Sequence, residues 1–202
     1  MNRDVLFNRL LSLIPNFLSP FKPFLIKKLV KKAGADFRIS PSTVILNLSS
    51  FECGKNVYIN RNFYCSAIKG VYIGDRVMFG ANCSIIGGDH SYNDKDDNMR
   101  FTKKLGQNNL ITIEADAWIG HGTVILKDAY ISEGTIIGAN SLVTSKTKPY
   151  SIYVGQPSKF LHPRFDKFED LVSYLSFMKR EHSFESKYTI DELKKIYEPR
   201  SQ

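Results

Sequence analysis

The chain has 202 residues, a length that suits one domain with terminal extensions, and 43% of them are hydrophobic, enough for a buried core. No segment reaches the ~20 uninterrupted apolar residues of a transmembrane helix. The net charge of +8 suits a polyanionic ligand, an anionic membrane surface or nucleic acid without choosing among them. Cys53, Cys65 and Cys83 lack metal-ligand spacing and suggest no disulfide framework, which fits a reducing compartment.

The first stretch, Met1 to Lys32, carries a helix-like stripe of Val5, Leu6, Leu10, Leu13 and Ile14, interrupted by Pro15, Pro20 and Pro23. Leu25 to Lys32 then forms a short basic run. Two roles are open: docking on an anionic inner-membrane surface, or covering the open end of a repeat structure, which is the preferred reading. Asp4 and Arg9 break the apolar run and no small-residue cleavage site follows, so a cleaved signal peptide is not expected.

The dominant signal lies further on, where an aliphatic residue returns every six positions at Ile113, Ile119, Ile125, Ile131, Ile137 and Val143. A 3.6-residue helix would scatter such a set around its surface, and a single strand of that length is improbable. A chain that turns a corner after each short extended segment brings every aliphatic to the same inward position, the pattern of a parallel β-helix. Gly120, Gly134 and Gly138, with Asp116, Asp128 and Asn140, are expected at the sharp turns. The six-residue step extends backwards through Ile73, Phe79 and Ile85, through Cys53, Ile59 and Cys65, and more weakly through Ile39 and Ile45. Two-residue slips at 45–53 and 65–73 read as corner bulges. Between Ile85 and Ile113 the pattern vanishes over a polar stretch containing His90 to Asn98, read as a loop thrown out from the coil.

After Ser145 the repeat ends in a Pro- and Gly-marked segment, Lys148 to Lys159. Phe168, Leu171, Val172, Leu175 and Met178 then recur at helical spacing, and Asp191 to Tyr197 reads as a short helix with Thr189 as its N-cap. Their apolar stripes are packing surfaces for the coil or for a neighbouring subunit. The expected organisation is a basic helical extension over 1–36, an all-β solenoid over 37–160 with an extruded loop at about 88–108, and a helical tail over 161–202.

Several stretches carry a family resemblance: Asp116-Ala117-Trp118-Ile119-Gly120, Gly134 to Thr144, Pro149 to Ile152, and Gly155-Gln156-Pro157-Ser158-Lys159. The chain resembles, over about residues 39–165, the hexapeptide-repeat acyltransferases. It is most similar to the branch of maltose, galactoside and xenobiotic acetyltransferases and the O-acetyltransferases of surface polysaccharides. The resemblance implies a left-handed parallel β-helix, a homotrimer with active sites between subunits, and acetyl-CoA as co-substrate without a metal. Handedness comes from the resemblance alone, since ordinary crossovers are right-handed.

Acetyl transfer from a thioester needs a base for the acceptor proton and donors for the oxyanion. Histidine suits the first task, with a pKa of about 6.5. Of His90, His121, His162 and His182, only His90 lies in the extruded loop, after Gly87-Gly88-Asp89, where the family carries its catalytic histidine. His121, after the Trp-Ile-Gly corner, aligns with the acetyl-CoA channel. No serine, cysteine or lysine stands out as a covalent nucleophile, so the acceptor is expected to attack directly.

The resemblance further implies that Asn60 contacts an acceptor sugar, whose hydroxyls an amide can both donate to and accept from, and that Trp118 walls the acceptor or thioester pocket. Gly120 and Ala139 align with cofactor contacts, as do Thr144 and Ser145. The family usually has lysine at the Ser145 position, and here Lys146 stands one residue later. Lys159 and His162 align with basic residues at the nucleotide phosphates. Asn82 reads as a turn. A carbonic anhydrase on the same coil needs two metal-binding histidines four residues apart, a pair this sequence lacks.

The expectation is therefore a cytoplasmic, acetyl-CoA-dependent O-acetyltransferase acting on a sugar or surface-polysaccharide precursor. Its basic N-terminus could make peripheral contact with the inner membrane face. The alternatives are an N-acetyltransferase of a nucleotide-linked amino sugar and a xenobiotic or antibiotic O-acetyltransferase. Nucleic acid is not an expected partner.

Overall fold

The computed structural model describes residues 4, 6, 7, 10, 16–66, 68–88, 91–98, 100, 101 and 110–198. Its body is a prism of three sheets whose short strands follow one another around a coil. The first face stacks Lys32–Ala33, Phe51–Cys53, Val71–Ile73, Ile111–Ile113 and Tyr130–Ile131. On the second lie Arg38–Ile39, Tyr58–Ile59, Met78–Phe79, Trp118–Ile119 and Ile136–Ile137, ending in Ser151–Val154 and Lys159–Pro163. Val44–Ile45, Tyr64–Ser66, Ser84–Ile86, Val124–Leu126 and Leu142–Val143 form the third. All neighbours pair in parallel except the final two strands of the second face, which pair antiparallel.

Each predicted inward aliphatic is inside: Ile113, Ile119, Ile125, Ile131, Ile137 and Val143 are all 0% exposed. The six-residue period contains a second inward position that the aliphatic step does not reveal. Four residues after each aliphatic, Ala117, Thr123, Ala129, Thr135, Ser141 and Thr147 fill the inside of the corner and are also buried. Their hydroxyls are satisfied by the coil, with Thr123 Oγ1 donating to the Gly138 carbonyl at 3.2 Å and Thr135 Oγ1 to that of Lys148 at 2.9 Å. Lower down, larger residues take this position, and Phe63 meets Phe79 edge-to-face at 5.1 Å.

The turn itself falls three residues after each aliphatic. Asn56, Asn62, Arg76, Asn82, Asp116, Asp128 and Asn140 all have φ between 55° and 68°, as does Gly134 at 66°. Asn and Asp tolerate this region better than other side chains. Gly120 and Gly138 do not turn the chain with positive φ, contrary to the expectation from sequence; Gly122, at φ 69°, does. Gly120 is required by close approach instead, because a Cβ there would lie 2.6 Å from the Ala139 nitrogen in the next coil.

Both two-residue slips are real. Ile39, Ile59 and Phe79 stack twenty residues apart, whereas Ile119 and Ile137 stack eighteen apart. The extra residues sit where the third face returns to the first, in the 3-10 turn Leu48–Ser50 and the turn before Val71. The long interruption leaves at that same edge after Ile86, and Val71–Ile73 still pairs directly with Ile111–Ile113. The stack therefore continues unbroken beneath the loop.

The first coil is covered. A 3-10 segment, Asn16–Phe21, leads into α1 (Lys22–Leu29), which buries Ile26 in the same core as the first coils. Val30, just beyond the helix, joins it. Phe7 packs on that core, and Asp4 accepts hydrogen bonds from the Ser49 N–H and hydroxyl. Capping is thus observed, although strand pairing already starts at Lys32 and runs on to Pro163.

After the last coil, α2 (Phe168–His182) and α3 (Ile190–Lys194) fold back along the side of the prism and pack Leu171 and Leu193 with Tyr150 into a second apolar cluster. The tail's target is the coil of its own chain. Thr189 caps α3 as expected, in a reciprocal box with Glu192.

Cys53, Cys65 and Cys83 are unpaired and buried, and burial raises their thiols to about 11, 12 and 11 respectively. Native protein at pH ~8 should therefore resist Ellman's reagent, with all three thiols reacting after denaturation. Ile119→Ala or Ile137→Ala should lower stability by about 2–5 kcal/mol in urea unfolding, since a coil fixed above and below has little room to collapse into the cavity.

Candidate functional site

The loop leaves the edge between the third and first faces, and the opposite border of the third face is the edge shared with the second. That second edge carries a ladder of polar side chains, one rung per coil. Ser42 Oγ accepts from the Asn62 N–H at 2.8 Å, and Asn62 Nδ2 donates to Asn82 Oδ1 at 3.0 Å. Asn82 Nδ2 then lies 3.3 Å from His121 Nε2. With the Asn82 amide donating, His121 Nε2 is the accepting nitrogen. Asn82 is a turn residue, as expected, at φ 61°.

Above His121, its own carbonyl accepts from the Asn140 N–H at 2.7 Å, and Gln156 Nε2 donates to the Asn140 carbonyl at 2.7 Å. Ala139 is exposed beside this column. Gly120 is buried, with its N–H donating to the Ile137 carbonyl and its own carbonyl accepting from the Cys83 thiol. Asn60 occupies the equivalent corner of a lower coil, where its Oδ1 accepts from the Arg61 N–H at 2.7 Å, a turn-stabilising contact.

Between the two edges the third face presents an outward row of Val44, Tyr64, Ser84, Val124 and Leu142, aligned by strand register. Val44 and Tyr64 are exposed. The second face has its own row, in which Trp118 stands between Met78 and Ile136 and remains 48% exposed. Lys159 and His162 are exposed on the last strand of this face, and His162 Nδ1 donates to the Pro163 carbonyl at 2.6 Å.

Gly120, His121 and Ala139 are thus brought together on one edge. Thr144, Ser145 and Lys146 are exposed on the other, across the width of the third face. Lys146 leans back towards the first face, its Nζ 4.8 Å from the centre of the Tyr130 ring. His90 lies outside the described residues. Around it, the described part of the loop is organised by Asx contacts, Asn98 Oδ1 accepting from the Arg100 and Phe101 N–H groups.

A polar cluster on the first face escaped sequence reasoning. Glu114, 5% exposed, accepts from Tyr130 Oη, from Lys187 Nζ, from Tyr188 Oη at 3.0 Å and from the Glu133 N–H at 2.9 Å. Glu133 in turn accepts from Tyr150 Oη at 2.7 Å and from the Lys187 N–H. Burial acts against the charge of Lys187, but its bonds to Glu114 and Tyr130 outweigh this and hold its pKa above the usual lysine range. Burial, reinforced by the Glu133 carboxylate, pushes the Tyr150 phenol strongly upward. Nearby, Arg164 and Tyr174 both donate to Asp116 Oδ2 at 2.8 Å. These contacts fasten the tail to the coil. In sequence, Glu114 and Glu133 are corner carboxylates indistinguishable from solvated ones.

The coils that carry His121 and Ala139 lie within a match to a repeat family. Residues 110–145 match the model described as bacterial transferase hexapeptide (six repeats). Over these residues the chain carries the hexapeptide repeat. This hexapeptide-repeat chain is 27% identical to a galactoside O-acetyltransferase of Lactococcus lactis, covering 66% of this chain and 63% of the relative. It is 38% identical to a chloramphenicol acetyltransferase of Agrobacterium fabrum over 32% of this chain and 30% of the other. The matches span between 28% and 63% of the length of the curated relatives. Among solved structures, a galactoside acetyltransferase in complex with coenzyme A superposes with a TM-score of 0.71 at 23% identity, covering 83% of this chain and 82% of that one. The fold is the left-handed parallel β-helix.

The polar ladder separates two uses of Asn82. Asn82→Ala removes both rung contacts and places alanine at positive φ, and should cost about 1–2 kcal/mol in thermal or urea unfolding. Asn82→Gly should recover the backbone part alone.

Proposed function

We propose that this protein is an acetyl-CoA-dependent acetyltransferase that acylates a hydroxyl of a sugar or surface-polysaccharide precursor in the cytoplasm. The observation that carries this reading is the hexapeptide coil itself, together with its similarity to a galactoside O-acetyltransferase over two thirds of the chain. The coenzyme A bound to the structurally similar galactoside enzyme supports the choice of donor.

In the proposed reaction His90 is the general base. The acceptor hydroxyl gives its proton to the imidazole as its oxygen attacks the thioester carbonyl. Collapse of the tetrahedral oxyanion breaks the carbon–sulfur bond, and the imidazolium returns its proton to the departing thiolate. No acyl-enzyme is needed. The buried, high-pKa cysteines agree with this, since a neutral thiol inside the prism cannot serve as a nucleophile.

The pantetheine arm is assigned to the edge of His121 and Ala139, with Gly120 permitting the close coil contact behind it. Lys159 and His162 are assigned to the nucleotide phosphates, with Thr144, Ser145 and Lys146 completing the cofactor contacts from the other edge. Trp118 and Asn60 are assigned to the acceptor side. These groups lie on one face and two edges of the prism, so a single chain does not enclose them. A homotrimer would, by setting one protomer's face against its neighbour's edge, and the exposed Tyr58, Met78, Trp118, Val44 and Tyr64 supply apolar surface for it. The similarity to a chloramphenicol acetyltransferase favours, as a second reading, a xenobiotic hydroxyl as acceptor.

His90→Ala should lower turnover by about 10²–10⁴-fold while leaving acetyl-CoA affinity, measured by calorimetry, nearly unchanged. Retained turnover would remove His90 from the mechanism. Lys159→Ala should instead weaken acetyl-CoA binding by about tenfold, the effect of one charge-assisted contact. A mass-spectrometric screen of glycans, lipid-linked sugars, nucleotide sugars and chloramphenicol for the mass of one added acetyl group identifies the acceptor. Light scattering should give three times the chain mass; a monomer would contradict the shared site.

A further inference from the structure

The cap at the first coil does more than bury Ile26. The same short helix turns Phe24 and Leu25 outward at 56% and 37% exposure, and Phe21, immediately before it, is 60% exposed. Lys27 and Lys28 are exposed beside them, and Lys28 Nζ lies 4.4 Å from the centre of the Phe24 ring. A helix whose only task was to close a solenoid would put its large apolar residues inward and its polar ones outward.

The charge of this end is one-sided. Between Asp4 and Asp36 the sequence has six basic residues, Arg9, Lys22, Lys27, Lys28, Lys31 and Lys32, and no acidic one. Asp4 is engaged by Ser49, and Lys31 reaches Glu52 at 2.7 Å, which leaves the excess positive. The segment held by that Asp4–Ser49 contact exposes Leu6 and Leu10, at 41% and 51%. Because α1 also packs against the turn containing Ser49, both segments present apolar residues from one end of the prism.

We propose that this end is a docking surface for an anionic phospholipid bilayer, with Phe21, Phe24 and Leu25 entering the headgroup region and Lys27 and Lys28 held at the phosphates. Two exposed phenylalanines flanked by lysines, in a stretch with no acidic residue from 5 to 35, match an interfacial anchor. A protein partner with an acidic groove, or a second copy of this chain, would be the other occupants. A second copy is disfavoured because two such ends would bring like charges together. The proposed contact is peripheral, and among the described residues no helix is long and apolar enough to cross a membrane. Since α1 also seals the core through Ile26 and Val30, docking would fix the prism with its first coil towards the lipid and its loop further away. Such an orientation suits an acceptor built on a lipid carrier.

The test is co-sedimentation of the full chain with vesicles of equal parts phosphatidylglycerol and phosphatidylcholine, against vesicles of phosphatidylcholine alone. Binding to the anionic vesicles is expected, weakening as salt is raised. Phe21→Ser with Phe24→Ser should lower the partition by tenfold or more. Lys27→Gln with Lys28→Gln should lower it by about fivefold per lysine. Both double variants leave Ile26 and Val30 in place, so unfolding curves and oligomeric mass should match those of the parent. Absence of binding, equal binding to both vesicle types, or full binding by both variants overturns the proposal. So does a change of oligomeric mass in the phenylalanine variant, which would assign the surface to another copy of the chain.

Discussion

The constraint from which the rest of the structure follows is vertical register. Each coil buries an aliphatic directly beneath the one above, and the strand hydrogen bonds between coils hold only while every coil keeps its perimeter. Ile119 over Phe79 over Ile59 over Ile39 is one such column. A missing or extra residue on a flat would turn the next side chain to the outside. Insertions therefore collect at one edge, where the turn Leu48–Ser50 and the long loop both leave the prism without displacing a column.

Register also decides the outer surface. Because positions repeat, chemically similar groups line up into rows: small residues along the inner corners, left-handed Asn and Asp along the edges, and exposed aromatics along the faces. The edge row becomes a hydrogen-bonded ladder from Ser42 through Asn62 and Asn82 to His121. A repeated structure thus builds a continuous polar rail beside an apolar strip. In the proposed function a long, narrow cofactor lies along these coils and a neighbouring protomer supplies the closing wall.

The ends break the repetition, and they do so differently. At the start, a basic segment seals the core with Ile26 and Val30. At the finish, the chain reverses into an antiparallel strand, and the tail is fastened by charge pairs to the shielded carboxylates of Glu114 and Asp116. Removing a single partner such as Lys187 or Arg164 would leave Glu114 or Asp116 with fewer donors in a poorly solvated position, a costlier change than loss of a surface ion pair. The tail is thereby tied to the upper coils, while the apolar residues exposed at the lower end are free to meet something else.

Much of this was determined by the order of residues alone. A six-residue aliphatic step admits few folds, since the spacing itself states how often the chain must return to the same inward position, and the two slips and the loop could be read from breaks in that step. The turn positions were only partly legible, because glycine serves both positive φ and close approach, and Gly120 and Gly122 differ in which they supply. His90 could be singled out as an imidazole in an insertion, but its surroundings are not a property of the sequence. Only the folded chain decided that Asn82 faces His121, that Thr144 to Lys146 lie on the opposite edge from Ala139, and that Glu114 is buried by a tail more than seventy residues away. Those contacts join residues from different coils and from the tail, and their energies depend on burial, which exists only after the chain has closed on itself.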